Sequence, residues 1–274
     1  MTSNPALSTG RVAVVTGAAM GIGLAISKKL AAMGMKVAMA DVLEADLAAA
    51  KEEMAAAGAQ VVAASLDVTD LDALVALRRT VHNELGPVSM LVNNAVTRTG
   101  GDVWSEAEDW RTAMEVNFWG VLNGVRAFLP AMLEHGKSGI VVNVGSKQGI
   151  TNPPGNLAYN VTKSALKTYT EGLQHELRNI AGCRVSAHLL VPGWTTTGRN
   201  AHKPGAWLPE QVAERMVESL QAGDFYIVCP DDEATPEMDR QRILWAARDI
   251  TENRPLLSRW HPDFKQAFED EAGS

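Results

Sequence analysis

Short apolar runs alternate with longer amphipathic stretches along most of the chain. The short runs are rich in Val and Ala, as is typical of buried strands, and they lie at residues 11–15, 36–40, 60–65, 88–92, 139–144, 184–191 and 225–230. Helical patterns separate them at 24–33, 44–57, 70–85, 106–135 and 159–180, with a break expected near Pro130. This alternation predicts an α/β fold, a doubly wound parallel sheet of seven strands.

One domain is expected for residues 1–274, with a core at about 10–230 and a helical C-terminal extension at 231–274. Within the extension, residues 236–253 carry apolar side chains at steps of three and four, which predicts an amphipathic helix. These side chains are Met238, Ile243, Leu244, Ala247 and Ile250. We expect the extension to pack on the domain or across a subunit interface.

Composition narrows the class of protein. The 274 residues are 46% hydrophobic and carry a formal net charge of −7, which argues against a nucleic-acid surface. Cys183 and Cys229 are too few and too isolated for a disulfide framework, and no metal site is expected. The N-terminus has no basic segment followed by an apolar core, and no apolar run is long enough to span a membrane. We therefore expect a soluble, cytoplasmic protein.

A glycine-rich turn joins the first predicted strand to the first helix. The strand at 11–15 runs into Thr16–Gly23, TGAAMGIG, and then into a helical stretch. A dinucleotide pyrophosphate needs this arrangement, because glycines let the backbone come close and the helix N-terminus offers free N–H groups. For a glycine cluster alone, a tight turn without a ligand is an equal alternative.

Asp41 ends the second predicted strand. A carboxylate at this position can accept hydrogen bonds from both hydroxyls of an adenosine ribose, and it would repel a 2′-phosphate. Neither Met20 nor Val42 is basic, so the usual positions for a phosphate-binding cation are empty. These residues predict NAD rather than NADP, with a plain helix cap as the alternative role of Asp41.

Tyr159 and Lys163 lie four residues apart in a helical stretch, so their side chains share one face. A phenol with a pKa of about 10 is a poor base at neutral pH, and a nearby ammonium favours its ionised form. Ser146, in the pattern Ser-x12-Tyr-x3-Lys, could hold an alcohol or carbonyl oxygen beside the pair. Together they suit proton transfer with an alcohol. Tyr-x3-Lys alone also occurs as a buried tyrosine beside a surface lysine.

With these features in order, the chain resembles the short-chain dehydrogenase/reductase family, in its compact single-domain branch, over roughly residues 10–230. The family motif TGxxxGIG matches Thr16–Gly23, NNAG matches Asn93-Asn94-Ala95-Val96, and PGxxxT matches Pro192–Thr197. Val96 replaces the usual glycine, which narrows the expected substrate site. The family's VDGG after the last strand is absent, which leaves its usual tetramer geometry in doubt.

The resemblance implies a Rossmann-type fold and the roles of the site residues. The implied catalytic residues are Asn117, Ser146, Tyr159 and Lys163. The implied cofactor contacts are Gly17, Ala19, Met20, Gly21, Ile22, Gly23, Asp41, Val42, Asp67, Val68, Asn94, Ala95, Val96, Tyr159, Lys163, Pro192, Gly193, Trp194, Thr195 and Thr197. By the same resemblance, Tyr159 is the general base or acid and Lys163 stabilises the tyrosinate and binds the nicotinamide ribose. Asn117 holds a water that links Lys163 to solvent.

The predicted function is hydride transfer between NAD and a secondary alcohol or ketone. An NADPH-dependent carbonyl reductase is one alternative, which Asp41 disfavours. A non-catalytic NAD-binding regulator is another, which would have no need of Tyr159 and Lys163. Closed homo-oligomers are common, and we expect a homodimer or homotetramer built on the helices that carry Asn117 and Tyr159.

The substrate itself is not defined by the sequence. Its expected contacts are Ser146, Gln148, Asn156, Tyr159 and Trp194, flanked by Val96, Lys147 and Pro153. The segment Thr195–Leu208 is expected to form a mobile lid. Its basic residues Arg199, His202 and Lys203 fit either an anionic substrate or a solvated loop.

Overall fold

Seven parallel strands form one sheet in the computed structural model, which describes residues 4–198 and 200–272. The strands are β1 (Val12–Thr16), β2 (Lys36–Asp41), β3 (Val61–Ser65), β4 (Val88–Asn93), β5 (Gly139–Val144), β6 (Val185–Val191) and β7 (Tyr226–Val228). Their order is β3-β2-β1-β4-β5-β6-β7. β1 pairs with both β2 and β4, so the connections leave it in opposite directions and open a crevice at its carboxyl end. The predicted fold class is confirmed.

Helices cover both faces of this sheet. They are α1 (Gly21–Ala32), α2 (Glu44–Ala56), α3 (Leu71–Glu84), α4 (Ala107–Met114), α5 (Gly120–Glu134), α6 (Gln148–Thr151), α7 (Leu157–Asn179), α8 (Pro209–Ala222), α9 (Pro236–Thr251) and α10 (Pro262–Ala272). One apolar core lies between the sheet and α1, α2 and α8, and the other between the sheet and α3, α5 and α7. β1, β4 and β5 are buried along their whole length, which explains why they are apolar without alternation. No helix in the described part of the chain is long and apolar enough to cross a bilayer.

The long helical stretch after β4 differs from its prediction. The break expected near Pro130 is absent, because α5 continues through that residue. Pro130 and Arg126, whose carbonyl loses its helical partner, both lie on the exposed side, where water can satisfy the free group. The irregularity lies instead at Glu115–Trp119, a π-helical segment between α4 and α5 that contains Asn117. Such π segments occur often at functional sites.

The C-terminal extension is helical, but the buried face of α9 is not the predicted one. Leu244 and Ile250 are exposed, the latter at 83% of its surface, whereas Asp239 and Trp245 are buried. The Trp245 ring lies under the Arg254 guanidinium at 4.4 Å, and its indole N–H donates to Ser258 Oγ at 2.7 Å. The extension therefore packs through an aromatic and polar core, and its apolar stripe is largely exposed.

A buried cluster of charged side chains links this extension to the sheet through ion pairs. Lys147 Nζ, after β5, lies 3.1 Å from an oxygen of Asp231 and 2.6 Å from an oxygen of Asp239. The two aspartates are 6% and 7% exposed at the side chain, so solvent screens the pairs little. Asp231 also accepts the Trp194 N–H at 3.0 Å. One carboxylate thus links the extension, the end of β5 and the turn after β6.

Candidate active site

The predicted site residues come from distant parts of the sequence and meet at the carboxyl edge of the sheet. The turns after β1, β2, β4, β5 and β6 all open on this edge. Parallel strands bring their ends together in this way, and ligands of such sheets bind where the chain direction reverses.

The glycine turn packs too tightly for side chains. Gly17 has a left-handed backbone with φ +63°, and an added Cβ would lie 2.7 Å from the Ala95 Cα. At Gly23 the added atom would lie 2.1 Å from the Gly17 carbonyl oxygen. α1 begins at Gly21 with no side-chain cap, which leaves the helix N-terminus open to a ligand. The turn therefore fits a dinucleotide pyrophosphate, with Ala19, Met20 and Ile22 along it.

Asp41 lies beside this turn. Its Oδ2 accepts the Ala19 N–H at 2.9 Å and its Oδ1 accepts the Leu43 N–H at 3.0 Å. An ionised carboxylate offers about four acceptor positions, so both oxygens can still accept from a ribose. Val42 is exposed at 60% and offers no charge to a phosphate.

The turn after β4 is clamped onto the glycine turn. Thr16 Oγ1 accepts the N–H groups of Asn94 and Ala95 at 3.0 and 3.2 Å. The Asn94 side chain donates to the carbonyls of Thr16 and Gly17, each at 3.0 Å. Val96, the departure from the family motif, is 47% exposed and leaves these bonds intact.

Asp67 and Val68 occupy the rim at the end of β3. Asp67 is exposed, and one of its oxygens accepts the Thr69 N–H at 2.9 Å. The Val68 side chain is buried against Gly120, and its carbonyl accepts from Asn123 at 3.2 Å. Val68 could therefore contact a cofactor only through its backbone.

Ser146, Tyr159 and Lys163 are brought together where β5 ends and α7 begins. The Ser146 hydroxyl is close enough to the Tyr159 phenol to lower the pKa of the phenol, and it accepts the Gln148 N–H at 3.2 Å. Lys163 Nζ lies 5.6 Å from the centre of the Tyr159 ring and donates to the Val144 carbonyl at 2.7 Å. The three functional groups thus form one cluster beside the glycine turn.

Asn117 joins this cluster through hydrogen bonds that occupy its side chain. Its Oδ1 accepts the Thr97 N–H at 2.8 Å, and its Nδ2 donates to the Thr97 carbonyl at 3.0 Å and to Thr162 Oγ1 at 3.2 Å. Both N–H donors of the side chain are used, so a water bound at Asn117 would use the second lone pair of Oδ1 or the backbone of the π segment. The side chain ties the turn after β4 to α7.

Burial dominates the acid–base properties of the cluster. It raises the pKa of Tyr159, which the Ser146 hydroxyl and the charge of Arg98 lower in part. It also lowers the pKa of Lys163 from 10.5 to about 7, and the charge of Arg98 acts in the same direction. Both shifts favour the uncharged forms, because a buried charge loses its hydration.

The turn after β6 reaches over the glycine turn. A Cβ added at Gly21 would lie 3.4 Å from the Thr197 Cβ, and one added at Gly198 would lie 3.5 Å from the Met20 sulfur. Thr195 forms a β-bridge with Trp207, and Thr196 Oγ1 lies 3.2 Å from His202 Nδ1. The expected lid is thus a closed loop held at its base. Arg199 lies outside the described residues.

A cavity of about 420 Å³ lies between the segment after β5 and the C-terminal extension, and none of Ser146, Tyr159 and Lys163 lines it. Gln148, Pro153 and Trp194, predicted at the substrate site, line it, whereas Asn156 is not among its lining residues. Gln148 Oε1 and Asn156 Oδ1 are nevertheless both buried without a hydrogen-bond partner, so each can accept from a ligand.

Several lining or neighbouring residues were missed by sequence reasoning. The extension contributes the other wall of the cavity with Arg242, Ile243, Arg259 and Trp260. Arg98, whose charge acts on Tyr159 and Lys163, was also missed. No motif marks these residues, and only Arg98 carries a usable signal, since it follows the NNA turn closely.

Comparison with known proteins supplies the family. A family model described as short chain dehydrogenase matches residues 11–205. The chain belongs to this family. It is therefore an oxidoreductase that acts on CH–OH groups.

The chain has relatives of similar length. It is 33% identical over 261 residues to 1-deoxy-11-beta-hydroxypentalenate dehydrogenase of Streptomyces exfoliatus, covering 91% of this chain and 94% of the relative. A short-chain dehydrogenase/reductase from Burkholderia phymatum, solved in complex with NAD, superposes with a TM-score of 0.84 at 33% identity, covering 93% of this chain and 98% of that one. A metagenomic short-chain oxidoreductase, solved with NADP, superposes with a TM-score of 0.69 at 27% identity, covering 81% and 98% of the two chains. Both cofactors thus occur among its structural neighbours.

The burial of Lys163 makes the stability of the protein depend on pH. Between about pH 7 and 10.5, unfolded Lys163 is protonated while the folded residue is not. The unfolded state then binds more protons, so the free energy of unfolding rises with pH, by at most about 1.4 kcal/mol per pH unit. In urea unfolding between pH 7.5 and 9.5 without added NAD, we expect wild type to gain stability relative to Lys163→Met. Exposed Lys137→Met should follow the wild-type profile, and parallel curves for wild type and Lys163→Met would contradict the assignment.

Proposed function

We propose that the protein is an NAD-dependent dehydrogenase that interconverts a secondary alcohol and its ketone. The observation that carries the proposal is the cluster of Ser146, Tyr159 and Lys163 beside an open glycine turn at the same sheet edge. When bound, the nicotinamide accepts the hydride in oxidation and donates it in reduction.

The protein's own residues then supply the proton chemistry and the positioning. Tyr159 takes the hydroxyl proton of the alcohol in oxidation and returns a proton to the ketone oxygen in reduction. Ser146, whose hydroxyl lies near the phenol, holds the same substrate oxygen. Lys163 stabilises the tyrosinate when protonated and binds the nicotinamide ribose. The Asn117 side chain holds the turn after β4 through Thr97. Its backbone binds the water that exchanges protons with Lys163.

We expect Tyr159→Phe to retain the fold and NAD binding while losing nearly all turnover. Positioned acid–base catalysis contributes about 10²–10⁴-fold, and the phenyl ring preserves the packing. The measurement is NADH absorbance with NAD and a pooled panel of secondary alcohols, with NAD affinity followed by fluorescence titration. Substantial turnover by the variant would rule out Tyr159 as the acid–base group.

The preference for NAD rests on Asp41 and its surroundings. The carboxylate is positioned beside the glycine turn, and exposed Val42 leaves no cation to neutralise a 2′-phosphate. The NAD complex of the Burkholderia relative supports this choice, whereas the NADP complex of the metagenomic relative shows that the fold alone does not decide it.

We expect Asp41→Ser combined with Val42→Arg to shift the preference toward NADP. The change removes the repulsion and adds a charge-assisted hydrogen bond, which is worth about 10-fold or more in affinity. The ratio of kcat/KM for NADP to that for NAD measures the effect. Val42→Arg alone, which keeps the carboxylate, is the matched control and should shift the ratio less. An unchanged ratio in the double variant would contradict the role of Asp41, and a wild-type ratio above one would favour the NADPH-dependent reductase.

The long helices also suggest how copies of the chain associate. Trp119, Leu157 and Val161 are exposed on these helices at 40% or more, and the Phe118 ring bridges them by edge contacts with Trp119 and Tyr169 at 5.5 and 6.0 Å. We propose a homodimer or homotetramer that buries these residues.

We expect light scattering to give a dimeric or larger mass at micromolar concentration, and Trp119→Glu to lower it. The carboxylate would be buried without a partner at the interface, whereas exposed Trp104→Glu serves as the control. A monomeric mass for the wild-type protein would contradict the proposal.

A further inference from the structure

Arg98 lies in the irregular segment between β4 and α4, and the contacts of this segment place it beside Tyr159. One residue earlier, Thr97 is bound through both its N–H and its carbonyl to Asn117. Three residues after Arg98, the Gly101 carbonyl accepts the Ala158 N–H at 3.2 Å. The segment therefore runs from the π turn to the residue that precedes Tyr159.

A tight turn holds the backbone around Arg98. Thr97 Oγ1 lies 2.7 Å from Thr99 Oγ1 and accepts the Thr99 N–H at 3.2 Å. Gly100 packs so closely on Ala158 that an added Cβ would lie 3.0 Å from the Ala158 Cβ. The position of the Arg98 backbone is thus fixed, while its long side chain remains exposed.

The Arg98 guanidinium has no acidic partner among the described residues. The next acidic residue along the chain is Asp102. It already accepts hydrogen bonds from the Trp104 N–H at 2.9 Å and from the Ser105 hydroxyl at 3.4 Å. Asp109 and Glu115, further along, also make no ion pair with it. Surface arginines are often unpaired, but this one faces a catalytic cluster.

The charge of Arg98 acts on that cluster. It lowers the pKa of both Tyr159 and Lys163, after burial as the larger influence on each. Arg98 thus brings a positive charge to a partly dehydrated site, and no carboxylate among the described residues pairs with it. Such an arrangement favours an anionic ligand, and a guanidinium offers the forked N–H groups that match a carboxylate.

We propose that Arg98 binds a carboxylate of the substrate, so that the enzyme acts on secondary alcohols and ketones that carry a carboxylate close to the reacting carbon. The inference rests on the proposed function. The ion pair fixes the distance between the carboxylate and Tyr159, and it thereby orients the carbinol carbon. Neutral analogues of the same size lack this anchor.

The test compares oxo acids with their methyl esters in the purified full-length protein with NADH. The probes are acetoacetate, levulinate and 4-oxocyclohexanecarboxylate, each beside its ester. We expect higher kcat/KM for the acids in wild type, and a loss of this preference of about 10- to 100-fold in Arg98→Gln, as for one charge-assisted pair. Arg98→Lys should retain part of it. Arg178→Gln, an equal change of charge at the exposed end of α7, should leave it unchanged.

A binding measurement separates this inference from the proposed function. In the Tyr159→Phe background, which is expected to bind the cofactor without turnover, NADH fluorescence reports levulinate binding alone, and we expect the added Arg98→Gln change to weaken that binding by a similar factor with NADH affinity unchanged. Turnover of acids and esters alike, with no effect of Arg98→Gln on either readout, would overturn the Arg98 assignment and leave the dehydrogenase standing. Arg98-dependent levulinate binding without any turnover by wild type would support the carboxylate site and count against the dehydrogenase. Levulinate binding that is equal with and without the Arg98→Gln change would overturn the carboxylate site whether or not turnover is seen.

Discussion

The contact between the turns after β1 and β4 sets the geometry of the whole site. Asn94 satisfies two carbonyls of the glycine turn, and Thr16 satisfies two N–H groups of the opposite turn. Neither Gly17 nor Gly23 has room for a Cβ atom, because the Ala95 Cα lies too close to the first and the Gly17 carbonyl oxygen lies too close to the second. The same turn continues along the chain to Thr97. Hydrogen bonds then join Thr97 to Asn117 and Asn117 to Thr162, the residue before Lys163. The cofactor side and the catalytic helix are therefore parts of one rigid frame.

Burial inside this frame disfavours the charged forms of its ionisable side chains. Burial alone shifts Tyr159 and Lys163 toward their neutral forms, although the proposed chemistry needs a tyrosinate beside an ammonium. The Val144 carbonyl holds the Lys163 amine at 2.7 Å, and the nearby Ser146 hydroxyl partly offsets the effect of burial on Tyr159. Any bound group that brings charge of its own will therefore change the protonation of both residues together.

Sequence reasoning succeeded where the determining contacts are local. Strand and helix positions follow from periodicity, and the glycine turn and the Tyr159–Lys163 pair follow from spacing within a few residues. It failed at long-range pairings. The partners of Lys147 lie in the extension, and no sequence pattern near Ser146 predicts them. On α9 the apolar stripe pointed to the wrong face, because Asp239 and Trp245 are buried through specific polar partners. Pro130 was expected to break a helix that its exposed position allows to continue.

The link between Lys147 and the extension also bears on the synthesis of the protein. Lys147 directly follows Ser146, but its partner Asp231 lies 84 residues further along the chain. At the usual elongation rates of about 5–20 residues per second, roughly 4–17 s pass before that carboxylate is translated. During this interval Lys147 has no Asp231 to pair with. The cavity wall next to Ser146 is therefore incomplete while the chain is on the ribosome. The active-site edge is then completed only after Asp231 and Asp239 have emerged, and a chain that stops before them would leave Lys147 without these partners.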